Sequence, residues 1–124
     1  MTILNLSKTT VIEIVGNDVV TADTTSSAVD LVDYEGDMEF ILCAEAGGSG
    51  VTYAVKLTES DASGGTYTDV SGGAFTTTTA NTKLTEKISV NTDGMKRYIK
   101  AVVDITGSGG GAVCVLGLGS KKYG

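Results

Sequence analysis

Val51-Thr52-Tyr53-Ala54-Val55-Lys56-Leu57-Thr58 places its large apolar side chains at every second position. In an extended chain Val51, Tyr53, Val55 and Leu57 face one way, and Thr52, Lys56 and Thr58 face the other. A period of two is the mark of a strand with one side in a core. The pattern recurs along the chain. Within 97–106, Ile99, Ala101, Val103 and Ile105 share a side, with Lys100, Asp104 and Thr106 opposite. Leu84, Ile88 and Val90 alternate more loosely within 84–90. Shorter strand-like runs lie at 11–15, 28–32, 38–45, 67–70, 74–78 and 112–118.

Between these runs stand turn signals: Val15-Gly16-Asn17-Asp18, Gly47-Gly48-Ser49-Gly50, Ser63-Gly64-Gly65, Ser71-Gly72-Gly73, Asn91-Thr92-Asp93-Gly94 and Gly107-Ser108-Gly109-Gly110-Gly111. Clustered glycines accept tight reversals, which is hairpin chemistry. Short strands with such turns at regular spacing predict an all-β fold, an antiparallel β-sandwich of jelly-roll type. No stretch shows helical periodicity. The expected organisation is an N-terminal arm and linker over 1–27, a sandwich over 28–119 and a short tail over 120–124. The first segment runs into the polar tract Thr21-Ala22-Asp23-Thr24-Thr25-Ser26-Ser27. It reads either as a first strand plus connection or as an arm that orders on a partner.

The chain has 124 residues, enough for one domain. It contains no histidine, which removes the imidazole base, the Ser-His and Cys-His nucleophile pairs and the imidazole metal ligand. A net charge of −6 opposes nucleic acid and anionic membranes. No run approaches the roughly 18 apolar residues of a spanning helix, and Met1-Thr2-Ile3-Leu4-Asn5 lacks the basic and apolar regions of a signal peptide. The expectation is a soluble, acidic, non-enzymatic domain made inside a cell, without cofactor, nucleic-acid or membrane partner.

The motifs that hint at chemistry are thin. Glu59-Ser60-Asp61-Ala62-Ser63-Gly64 supplies only part of a calcium loop and reads as solvated turn carboxylates. Gly107 to Gly111 leads into a strand-like run rather than a helix, so it is a hairpin loop and not a phosphate cradle. Arg97 is expected to form an ion pair with an acidic residue such as Glu59 or Asp61, either within the fold or across subunits. Cys43 and Cys114 lie in apolar runs and read as small buried hydrophobes, both reduced. A disulfide would need their strands to be neighbours with matched facing. Residues 112–118 are apolar on both sides, the pattern of a central strand covered twice or of one whose second side meets another subunit. The short basic tail Ser120-Lys121-Lys122-Tyr123-Gly124 reads as a solvated terminus or as a segment that docks against an acidic neighbour.

The order of three motifs resembles a known family. Leu31-Val32-Asp33-Tyr34-Glu35-Gly36 comes first. Lys56-Leu57-Thr58-Glu59-Ser60-Asp61 follows, with Tyr67-Thr68-Asp69-Val70 after a glycine-containing gap. Gly94-Met95-Lys96-Arg97-Tyr98-Ile99-Lys100-Ala101-Val102-Val103 closes the series. Together these resemble small virion structural proteins of tailed bacteriophages, the head decoration or cement proteins, over roughly residues 28 to 118. The resemblance implies a protein made in the bacterial host cytoplasm that binds the outer capsid surface and stiffens it. It implies the major capsid protein as partner and a homotrimer as the association state. On that reading Ile99, Val113, Val115 and Leu118 are candidates for subunit contact, and Ile3, Leu4, Val11, Ile12 and Ile14 for shell contact. A tail, neck or head-fibre component is the alternative. A host-surface or carbohydrate-binding module is the third reading, with Tyr34, Tyr53, Tyr67, Tyr98 and Tyr123 as its only large polar aromatics.

Overall fold

The computed structural model describes residues 9–46, 50–78 and 82–122, with backbone alone for Asn17 and Asp18. The described residues form nine strands and one short 3-10 turn. The strands are β1 (Thr9–Val20), β2 (Thr24–Thr25), β3 (Val29–Asp30), β4 (Tyr34–Ala44), β5 (Thr52–Ser60), β6 (Thr68–Ala74), β7 (Leu84–Asn91), β8 (Tyr98–Thr106) and β9 (Gly111–Lys121). They build two sheets, ordered β1-β9-β4-β7 and β2-β8-β5-β6, with β3 continuing beside β8. Every pairing is antiparallel. Taking β2 and β3 as one interrupted strand, the chain crosses between the sheets at every step except from β5 to β6, and the two sheets have the strand order of a jelly roll. The all-β sandwich expected from the strand periods is the observed fold.

The core lies where those periods place it. Val51, immediately before β5, and Tyr53, Val55 and Leu57 of β5 are each at most 2% exposed, and Ile99, Ala101 and Val103 of β8 are fully buried. Across the sandwich they meet Met38, Phe40 and Leu42 of β4 and Val113 and Val115 of β9, all fully buried. At Gly119, also inward-facing, an added Cβ would lie 2.9 Å from Met38 Cε and from Tyr34 Cδ1. Large neighbours occupy the space that a side chain there would need.

Residues 9–20 are the first strand of the sandwich, paired along β9 from Thr9↔Ser120 to Val20↔Gly111. The polar tract behind them follows the edge of β8. Ser26 N–H donates to Ala101 O at 2.9 Å, and Ala101 N–H donates back to Ser26 Oγ at 2.9 Å. Ile105 N–H reaches Asp23 Oδ1 at 2.9 Å. Polar side chains thus complete hydrogen bonds where β2 and β3 are too short to do so. Residues 1–8, with Ile3 and Leu4 of the expected arm, lie outside the described residues.

Two of the expected turns are bulges instead. Val15-Gly16-Asn17-Asp18 does not reverse the chain, because β1 pairs with β9 on both sides of it with register shifts at Glu13/Val15 and Val15/Asp18. Ser71-Gly72-Gly73 is absorbed in the same way: Asp69 pairs with Thr58 and Ala74 with Lys56, both on β5. Gly72 takes φ +73° inside this irregularity. Both bulges fall on the outermost strand of a sheet, where no second neighbour enforces regular pairing. Of the other expected turns that are described, 61–67 is a hairpin joining the paired strands β5 and β6. Residues 107–110, expected as a hairpin loop, instead carry the chain from β8 in one sheet to β9 in the other, and 92–97 likewise crosses from β7 to β8. Asn91 caps the 3-10 turn Thr92–Gly94 by accepting from Asp93 N–H at 2.8 Å.

Candidate interaction face

Inward-facing residues fill the core, so the surface chemistry belongs to the outward-facing ones, and the two sheets differ there. On the β2-β8-β5-β6 sheet, Lys56 Nζ lies 2.9 Å from Asp69 Oδ1, and Lys100 Nζ lies 4.4 Å from the centre of the Tyr67 ring. The Asp69 carboxylate, aided by Asp104, holds the Lys56 ammonium above the usual lysine range. These partners tie β6 and Tyr67, the residue before it, to β5 and β8 and give a polar, internally paired outer surface.

The outer surface of the β1-β9-β4-β7 sheet is apolar through its middle. Residues in register share a face, so the pairings give its layout row by row. Val11, Leu118 and Glu39 form one row across β1, β9 and β4, and Glu13, Leu116, Ile41 and Lys87 form the next, reaching β7. Cys114, Cys43 and Thr85 follow, and Val19 stands beside Ala112. Leu116, Leu118 and Ile41 are half-buried, while Val11 and Val19 are 61% and 67% exposed. Glu39 Oε1 accepts from Ser89 Oγ at 2.6 Å. Its Oε2 is buried with no hydrogen-bond partner among the described residues. An apolar patch with charged residues at its edges makes this face the candidate for an interaction surface.

The structure separates the candidates that sequence reasoning had grouped. Leu118 and Val11 lie on this face. Val113, Val115 and Ile99 are fully buried in the sandwich, so none is open to subunit contact. Ile14 is 8% exposed within the core, and Ile12 packs against that core. Sequence reasoning missed Leu116, Ile41, Val19 and the two cysteines. The signal was present in 112–118, apolar on both sides, but nothing in the sequence says which side turns outward. Cys43 is exposed and Cys114 half-buried, so neither is the fully buried hydrophobe expected. Burial pushes the Cys114 thiol up, with Cys43 and Glu13 acting in the same direction.

Arg97 also takes a partner other than those expected. Its Nε and a terminal nitrogen donate to Asp30 Oδ1 and Oδ2 at 2.9 and 2.8 Å, a two-pronged bond on β3. That guanidinium holds the Asp30 carboxyl below its usual range. Glu59 instead accepts from Lys96 N–H at 3.0 Å, and Asp61 lies in the exposed turn after β5. Nearby, Leu31, Tyr34, Met95 and Arg97 help line a shallow cleft of about 240 Å³, small beside the roughly 300–1,000 Å³ of small-molecule sites. Of the tyrosines proposed for a sugar platform, Tyr53 is buried and Tyr123 lies outside the described residues. Tyr67 and Tyr98 carry Lys100 and Arg97 over their rings.

Fold and face together define a jelly-roll module with one polar and one apolar outer surface. The same fold occurs in solved structures. One is the SPBc2 prophage-derived protein YomS, at TM-score 0.59 and 15% identity over 90% of this chain and 91% of that one. Another is the infectious bursal disease virus VP2 subviral particle, at 0.54 and 12% identity over 91% of this chain and 32% of that one. The Gx strain of the same virus matches at 0.51 and 13% identity over 93% and 34%. The chain therefore spans about a third of the two virus chains but nearly all of the prophage protein. At these identities the likeness is one of fold. No protein-family profile and no curated protein matches the sequence.

Proposed function

We propose that the chain is a structural protein of a viral particle, and specifically a decoration protein. It lies on the capsid surface with the apolar face of its β1-β9-β4-β7 sheet against the major capsid protein. The observation that carries this reading is the asymmetry between the two outer surfaces: one carries its own ion pair and cation–ring contact, and the other leaves Leu116, Leu118, Ile41, Val11 and Val19 open in part to water. Covering them removes apolar area from water at about 25 cal/mol per Å². Binding that spans neighbouring shell subunits favours the assembled state by mass action. The sequence resemblance to phage decoration proteins supports the assignment. So does the sharing of this fold with a prophage-derived protein over nearly the full length of both chains. The proposal includes a homotrimer, synthesis in the bacterial host cytoplasm, and no catalytic step.

The test is mass in solution by light scattering, followed by sedimentation with phage shells assembled without the protein. A trimer that saturates the shells supports the proposal. A chain that stays in the supernatant, or that electron microscopy locates on a tail or neck instead of the shell, overturns it.

A further inference from the structure

The pairing of β4 with β9 sets Cys43 directly opposite Cys114. Residues opposite in an antiparallel pair project from the same face with Cβ atoms about 4.5–5.5 Å apart. Here that face is the outer one: Cys43 is exposed and Cys114 half-buried. Glu45 N–H donates to Ala112 O at 2.9 Å, which marks the position two residues along as a hydrogen-bonded pair. By the two-residue repeat of the ladder, Cys43 and Cys114 form one as well, with Cα atoms about 5.5 Å apart. That lies inside the roughly 4.4–6.8 Å a disulfide spans, and closing the bond draws the Cβ atoms together by about 1 Å.

We propose that Cys43 and Cys114 are a reversible cross-strand dithiol, oxidised to an intrachain disulfide by a small disulfide such as oxidised glutathione. The inference rests on register and exposure and holds whether or not the surrounding face docks on a shell. The Cys43 thiolate attacks one sulfur of the donor, forming a mixed disulfide and releasing one glutathione thiolate, which takes up the proton that Cys43 lost. The Cys114 thiolate then attacks the Cys43 sulfur, closes the protein disulfide and expels the second glutathione thiolate, which takes up the proton of Cys114. Two protein thiols are oxidised and one small disulfide is reduced to two thiols. The inward pull on the Cβ atoms makes the bond readily reducible. The pair is therefore open in a reducing compartment and closed outside it, covalently joining the two central strands of the apolar face.

The experiment uses the full folded chain, first reduced and then exposed to oxidised glutathione, with thiol titration, intact mass and peptide mapping. The expected result is a fall from two titratable thiols to none, a mass lower by two hydrogens, and a Cys43–Cys114 peptide that reduced glutathione reopens. Cys114→Ser should stop with one glutathione held on Cys43. Thiols that stay free under the oxidant, a wild-type product that keeps glutathione attached, or a disulfide joining two chains overturns the proposal. No shell enters the assay, so its failure leaves the docking assignment untouched.

Discussion

Tyr53 is 1% exposed, and its hydroxyl is buried without a hydrogen-bond partner among the described residues. A buried donor left unmatched costs more than the bond it forgoes. Tyr53→Phe is therefore expected to leave stability unchanged or raise it by about 1 kcal/mol in urea unfolding. A clear loss would show that the hydroxyl has a favourable role. Asp30 gives the complementary case. Its hydrogen bond from Arg97 lowers the carboxyl pKa in the folded chain. The resulting stability is present above the ordinary carboxylate range and is lost as pH falls through the folded value. Wild type should exceed Asp30→Asn in melting temperature near neutrality, with the gap closing as the pH is lowered through and below the ordinary carboxylate range. A constant gap would contradict the assignment. These contacts were not legible in the sequence: Asp30 and Arg97 lie far apart in the chain, and only the β3–β8 pairing brings them together. The β5–β8 pairing does bring Glu59 close to this region, but it accepts from Lys96 N–H instead.

The strands themselves were legible where alternation was strict. β5 and β8 follow their apolar periods residue by residue, because each has a neighbour on both sides and one face in the core. Leu57→Ala, which removes a fully buried side chain from β5, should cost about 2–5 kcal/mol by denaturant unfolding. Sequence reasoning failed at the edges, where glycine signals a reversal and a bulge equally well. Gly16 and Gly72 were both read as turns, and both lie within strands that keep the same partner. The bulge account gives a paired test. Gly72, at φ +73°, should lose about 1–2 kcal/mol on substitution by Ala. Gly64 has open space around it and no positive φ, so Gly64→Ala should be near neutral. Equal effects at the two sites would refute it. The choice of face on β9 was hidden for a related reason. When both parities are apolar, the period no longer reports direction, so Val113 and Val115 were grouped with Leu118 although they point the opposite way.

Taken whole, the molecule is a sandwich with a paired, polar outer surface on one sheet and an apolar one on the other. Association of folded chains stabilises the folded state by mass action, so melting temperature should fall on roughly hundredfold dilution if the chain self-associates as proposed. Invariance would count against the trimer while leaving a monomeric decoration protein intact. The central claim is that the β1-β9-β4-β7 face, and not the opposite one, makes the functional contact. The direct measurement is sedimentation of two folded variants with shells assembled without the protein. Leu116→Glu places a charge in the apolar face, and Thr52→Glu places one on the polar face. The account predicts that Leu116→Glu stays in the supernatant while Thr52→Glu pellets like wild type. Binding by Leu116→Glu at the wild-type level, or its loss in Thr52→Glu alone, would contradict it.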